Sequence, residues 1–137
     1  MTDAAAYVSA LIGRPWDRTG LHCGALVQQV QRDLFGRSLP DVMREAPPCD
    51  AEGRLERYRV FAEHPAHGDW QQALRPTHGC LVLMRRRSGR PHEHVGVWLA
   101  LDGGGVLHTD APHGVVFDSL AQLALRGWLP TWFVPVR

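Results

Sequence analysis

Apolar residues recur with helical spacing in the first part of the chain. The run AAAYVSALI, from Asp3 to Ile12, predicts a short helix, with Thr2 or Asp3 able to cap its open N–H groups and Gly13 ending it. Cys23, Leu26, Val27, Val30 and Leu34 form a second apolar stripe, with Gln28, Gln29, Gln31 and Arg32 turned elsewhere. They predict a helix that starts at Cys23 and stops at Gly36. Between Pro40 and Pro76 the pattern is broken by Pro47, Pro48 and Pro65; a helix is predicted from about Ala51 to His64 and a single turn from Trp70 to Leu74. After Gly79 the period shortens. CLVLMR (80 to 85), HVGVWLAL (94 to 101), GVLHT (105 to 109), GVVFD (114 to 118) and WFVPV (132 to 136) are β-prone runs separated by turn residues, the spacing of an antiparallel meander. Helices followed by strands predict an α+β fold, with N-terminal helices packed on a mostly antiparallel sheet of about five strands.

Length and composition add bounds. With 137 residues and no internal repeat or linker, the chain is expected to form one domain over 1–137. Its formal net charge of +1 gives no reason to expect a nucleic-acid partner, and RRRSGRP (85 to 91) reads as a solvated hairpin tip. All 15 basic residues are arginine, and lysine and asparagine are missing, a bias expected of a GC-rich gene. Cys23, Cys49 and Cys80 cannot all pair within one chain and form no C-x-x-C, so neither a disulfide framework nor a zinc knuckle is expected. The N-terminal run MTDAAAYVSALIGRPW lacks the basic region and long apolar core of a signal peptide, and no stretch approaches the ~18 apolar residues of a membrane span. The expectation is a chain made in the cytoplasm, without membrane insertion.

Chemistry concentrates in three residues. Cys23 follows the turn-like run GRPWDRTGLH and opens the second helix, where unpaired N–H groups and the dipole favour an anion, the nucleophilic form of a cysteine. In the strand 94 to 101 the two-residue period puts His94, Gly96, Trp98 and Ala100 on one face and Val95, Val97, Leu99 and Leu101 on the other. The second face reads as core, and Gly96 is expected to leave open space beside the His94 ring. If the next run folds back as a hairpin through DGGG, His108 lies beside His94 on the same face. A cysteine at a helix start, a histidine as base and a further polar group to orient that histidine make the geometry of covalent acyl transfer. Taken singly, each has a bland reading: a small buried thiol, a hydrogen-bonded strand histidine, a turn residue. The ordered set raises them. Cys49, in a Pro-rich stretch, and Cys80, at a strand start, are assigned no chemistry.

In the order IGRPWDRTGLHCGALVQQVQRDLFGRSLP, HGCLVLM, HVGVWLALDGG and VLHTD, the sequence resembles the NlpC/P60 family of papain-like cysteine peptidases, in the short form found with phage tails. That family shows an aromatic near a tight turn, D-C-x-G-[FL] opening a helix, then G-D-[LV]-V-L-F, H-[VI]-G-[IV]-Y-L and an I-H-A-like strand. The resemblance spans nearly the whole chain. It implies a papain-like NlpC/P60 fold and a thiol hydrolase that cuts peptide bonds of bacterial cell wall, usually next to D-glutamate. Catalytic roles carry over to Cys23, His94 and His108, and substrate binding to Trp16, His22 and Gly24. The implied partners are peptidoglycan stem peptides and phage tail proteins, the tail or a similar injection apparatus serving as the delivery route. Two positions depart from the pattern: His22 stands where the family has aspartate before the cysteine, and Cys80 where it has the aspartate of G-D-[LV].

Other classes remain open on sequence. A tail-assembly or structural module with the same fold and no chemistry is suggested by the missing aspartate before Cys23. A Cys-His acyltransferase or lipid hydrolase, or an amidase secreted as an effector, would use the same residue types. His92-Glu93-His94 with His22 or Cys23 offers metal-ligand types, but their spacing matches no closed zinc motif, so no metal and no cofactor are expected.

Overall fold

The computed structural model describes residues 3–17, 20–39, 69–87 and 94–136. Helix α1 spans Ala4–Leu11, and its N-cap is Asp3, whose carboxylate accepts from the N–H groups of Ala5 at 3.0 Å and Ala6 at 3.4 Å. Helix α2 spans Cys23–Phe35 and ends on Gly36, whose φ of 64° is the left-handed conformation that glycine adopts without a Cβ penalty. The predicted helix from Ala51 to His64 lies outside the described residues.

Among the described residues the sheet has six strands, in the order β1-β6-β2-β3-β4-β5, and every pairing is antiparallel. In sequence they are β1 (Trp70–Ala73), β2 (Leu81–Arg85), β3 (His94–Leu99), β4 (Gly105–Asp110), β5 (Gly114–Asp118) and β6 (Leu129–Pro135). The α+β class and the antiparallel sheet follow the sequence reading, with corrections. Trp70 to Leu74 is not a helical turn, because residues 70 to 73 pair with β6 as an edge strand. The last strand begins at Leu129 and not at Trp132, because Leu129 and Pro130 extend the ladder with β2. A short helix, α3 (Leu120–Leu125), was not foreseen; Ser119 and Gln122 close a capping box at its start.

Both faces of the sheet are covered, and this too departs from expectation. On one face Leu26, Val27 and Val30 of α2 cluster with Leu83, Val95, Val97 and Leu107. On the other, Val82, Met84 and Val106 cluster with Leu123 of α3 and with Trp128 and Trp132. The face of His94, Gly96 and Trp98 is therefore a second core layer. Nor is there open space beside Gly96: a Cβ there would stand 2.8 Å from Val106 Cγ1, 2.9 Å from the Leu107 carbonyl oxygen and 3.1 Å from His108 Cβ.

The direction of α2 matters for the site. Gln31, in its second half, donates from Nε2 to the Gly79 carbonyl at 2.8 Å, and the Gly79 N–H donates to the Trp98 carbonyl at 2.8 Å. The later turns of α2 are thus fixed beside the C-terminal part of β3, and its first turn, with Cys23, lies toward the end of the sheet where β3 begins.

Gly96→Ala should lower folding stability by about 1–3 kcal/mol, because the β4 backbone cannot give way as a flexible side chain could. Urea unfolding of the variant beside the parent measures this.

Candidate functional site

The site begins with strand register. Trp98 of β3 pairs with Val106 of β4, so one step along the same face Gly96 stands against His108; Val106 in turn pairs with Asp118 of β5. His94, His108 and Asp118 therefore point to one side, the side carrying α3 and Trp128. The absent Cβ at Gly96 lets the His108 side chain cross toward His94.

The result is a continuous polar chain. His94 Nε2 lies 2.8 Å from His108 Nδ1, and His108 Nε2 lies 2.8 Å from Asp118 Oδ2. Arg126, just after α3, donates from Nε to the same carboxylate oxygen at 2.6 Å. His94 is 4%, His108 0% and Asp118 3% exposed, so these bonds are made almost without water. Burial alone pushes the Asp118 carboxyl up, but the hydrogen bonds from His108 and Arg126 and their charges outweigh it and hold it below the ordinary carboxylate range.

An ionised Asp118 fixes the tautomers in sequence. It can only accept, so His108 donates from Nε2; His108 Nδ1 is then the acceptor in the neutral ring, and His94 donates from Nε2. That order puts the His94 lone pair on Nδ1. The His94 ring is held on one side by His108, at 79° with centroids 5.0 Å apart, and stacks on Trp128 with centroids 4.6 Å apart and planes 21° from parallel. The chemical meaning is an oriented base.

Cys23 is the first residue of α2, 7% exposed, with a free thiol. The structure brings His94 and His108 together but does not bond the cysteine to them: among the described residues no hydrogen bond joins its sulfur to either ring. Strand alternation explains this. Cys23 belongs to the apolar layer that α2 forms with Val95 and Val97, whereas the rings project to the other layer, although Cys23 and His94 share one end of the sheet.

The expected substrate-binding residues surround the start of α2. His22 is the N-cap, its Nδ1 accepting the Ala25 N–H at 3.3 Å, which is the work an aspartate would do there. Gly24 is buried in the first turn, and Trp16 is half-buried in the connection from α1. Cys80, at the other departure from the family pattern, is fully buried, and burial pushes its thiol up to about 11. His92, Glu93 and Cys49 lie outside the described residues. Among the described residues no group of three or more potential ligands gathers in a way that could hold a metal ion, and no helix is long and apolar enough to cross a membrane.

Sequence reasoning missed Asp118, Arg126 and Trp128. Asp118 left a trace, a carboxylate ending the apolar run GVVFD; Arg126 and Trp128 follow a helix that was itself unforeseen.

Because the folded carboxyl titrates lower than it would in the unfolded chain, the stability it contributes is present above the ordinary carboxylate value and lost as pH falls through the lower folded value. Urea midpoints measured between about pH 6 and pH 2 should fall more steeply for the parent than for Asp118→Asn, with the variant already weaker at neutral pH. Comparison with known proteins finds no family model that matches this chain and no curated protein that matches it.

Proposed function

We propose that the protein is a cysteine hydrolase of papain-like NlpC/P60 type that cuts peptide bonds in the stem peptides of bacterial peptidoglycan. The observation that carries this reading is the buried chain Arg126–Asp118–His108–His94, which fixes a base lone pair at the end of the sheet toward which the first turn of α2 is directed. A histidine that is to act as a base needs such a fixed tautomer.

In this reading the Cys23 sulfur attacks the scissile carbonyl carbon while His94 Nδ1 takes the thiol proton. The backbone N–H groups of the first turn of α2 receive the oxyanion, and His94 returns the proton to the leaving amine. Water, deprotonated by the same nitrogen, then cleaves the thioester. His108 keeps the imidazole in the required tautomer and Asp118 stabilises the positive charge that the ring pair acquires. This reading requires sulfur and Nδ1 to meet in the substrate complex around the end of the sheet, since the free protein holds Cys23 and the His94 ring in opposite layers. Resemblance of the ordered segments to the family supplies the substrate class, D-glutamate-linked stem peptides, and a phage tail or similar injection apparatus as the means of delivery.

One observation favours a second reading. His94 is enclosed by His108 and Trp128 and not bonded to Cys23, which suits a tail-assembly module in which the polar chain only holds the fold. The two readings part on thiol chemistry. Under the first, a small alkylating reagent at neutral pH labels Cys23 far faster than Cys80, whose thiol is buried and raised to about 11; equal, slow labelling of both supports the module.

Incubation of the purified protein with peptidoglycan fragments, read by product mass, should show stem-peptide cleavage. Cys23→Ala should lower its rate by at least about a thousandfold, and His94→Ala by a comparable factor. Cleavage retained by Cys23→Ala would end the cysteine-hydrolase reading.

A further inference from the structure

The indole of Trp128 has two faces, and both are occupied. His94 stacks on one, and the Arg86 guanidinium, just past the end of β2, lies over the other, its Cζ 3.7 Å from the ring centroid. Arg86 also donates from Nη1 to the backbone carbonyl of Arg126, the residue whose side chain holds Asp118. The contacts close a ring: His94 to His108, to Asp118, to Arg126, to Arg86, to Trp128 and back to His94. Hydrogen bonds set the nitrogens of the base along one half of this ring. Along the other half, stacking on Trp128 bears on the tilt of its plane.

We infer that Arg86 is a positioning residue for the base, pressing Trp128 onto His94 and tying the Arg126 backbone so that both ends of the histidine's support are held by one side chain. The inference rests on the hydrolase reading above. Physically, a swing of the imidazole about the hydrogen bond at Nε2 would carry Nδ1 through an arc. Trp128 opposes the swing, but it is itself a residue between α3 and β6 whose outer face is backed by Arg86. A planar guanidinium stacked on the indole supplies the backing, and its planar fork of donors reaches the Arg126 carbonyl at the same time; a lysine ammonium can do neither in the same way. Arg86 is exposed, so replacing it leaves the core layer of Val82, Met84, Leu123 and Trp132 in place.

The test uses Arg86→Met in the full chain, with Trp128→Phe as the conservative control. Proton NMR reads the stack itself, because the carbon-bound ring protons of His94, lying over the indole, are shifted upfield. Arg86→Met should move these resonances back toward exposed-histidine values, and kcat on stem-peptide substrates should fall roughly tenfold with KM unchanged, the sign of a misplaced catalytic group and not of weakened binding. Trp128→Phe should keep an upfield shift and most of kcat. Unmoved His94 resonances in folded Arg86→Met overturn the inference, as does a rate loss that appears wholly in KM. If the parent protein cleaves no stem peptide, the hydrolase reading fails, while the resonances still decide whether Arg86 sets the ring.

Discussion

Asp118 is an ionised carboxylate in a layer of the protein that water hardly reaches, and such a group persists only when donors surround it. Two come from different parts of the chain: the imidazole of His108 on β4 and the guanidinium of Arg126 beyond α3. Meeting this demand determines much else. It fixes which nitrogen of His108 carries hydrogen, and through it that of His94. It also anchors the residue after α3 against the last residue of β5, which brings Trp128 over the sheet. Removing the carboxylate would leave Arg126 without its buried partner and the ring pair without a fixed tautomer.

The sheet lets this polar line exist inside an apolar layer. Gly96 is the narrow point, where β4 comes so near β3 that no side chain fits, and the room is taken by His108 and Val106. On the opposite face the same strands offer Val95 and Val97 to α2. Each strand thus serves two layers, one for a helix that begins with a thiol and one for a histidine pair. Their common ground is the end of the sheet where β3 starts.

Much of this was legible in the sequence, for identifiable reasons. The helical stripe from Cys23 to Leu34 and its stop at Gly36 are local signals, and α2 follows them closely. The adjacency of His94 and His108 was readable because DGGG sets a hairpin and the two-residue period does the rest; Asp102, Gly103 and Gly104 indeed turn the chain with positive φ. The edge strand at Trp70 was not readable. Its identity depends on a partner more than fifty residues away, Leu129–Pro135, and four residues carry too little pattern of their own. The second core layer was missed for a related reason: a strand reading HVGVWL shows one clearly apolar face, and only the tryptophans arriving from elsewhere make the other face interior. Asp118 and Arg126 became visible as partners only when the strand order brought them together.

The connection between α1 and α2 runs along the outside of β5, where the Gly13 N–H donates to the Val115 carbonyl at 3.0 Å and the Val115 N–H to the Arg14 carbonyl at 2.9 Å. Those are the groups an outermost strand otherwise offers to any extended peptide that drifts past. With them taken by the molecule's own backbone, strand addition by a neighbouring chain is obstructed at Val115, and the opposite margin, β1, is only four residues long. In a fold this small, with valine-rich strands at its centre, an interrupted edge and a short one both work against fibrous self-association.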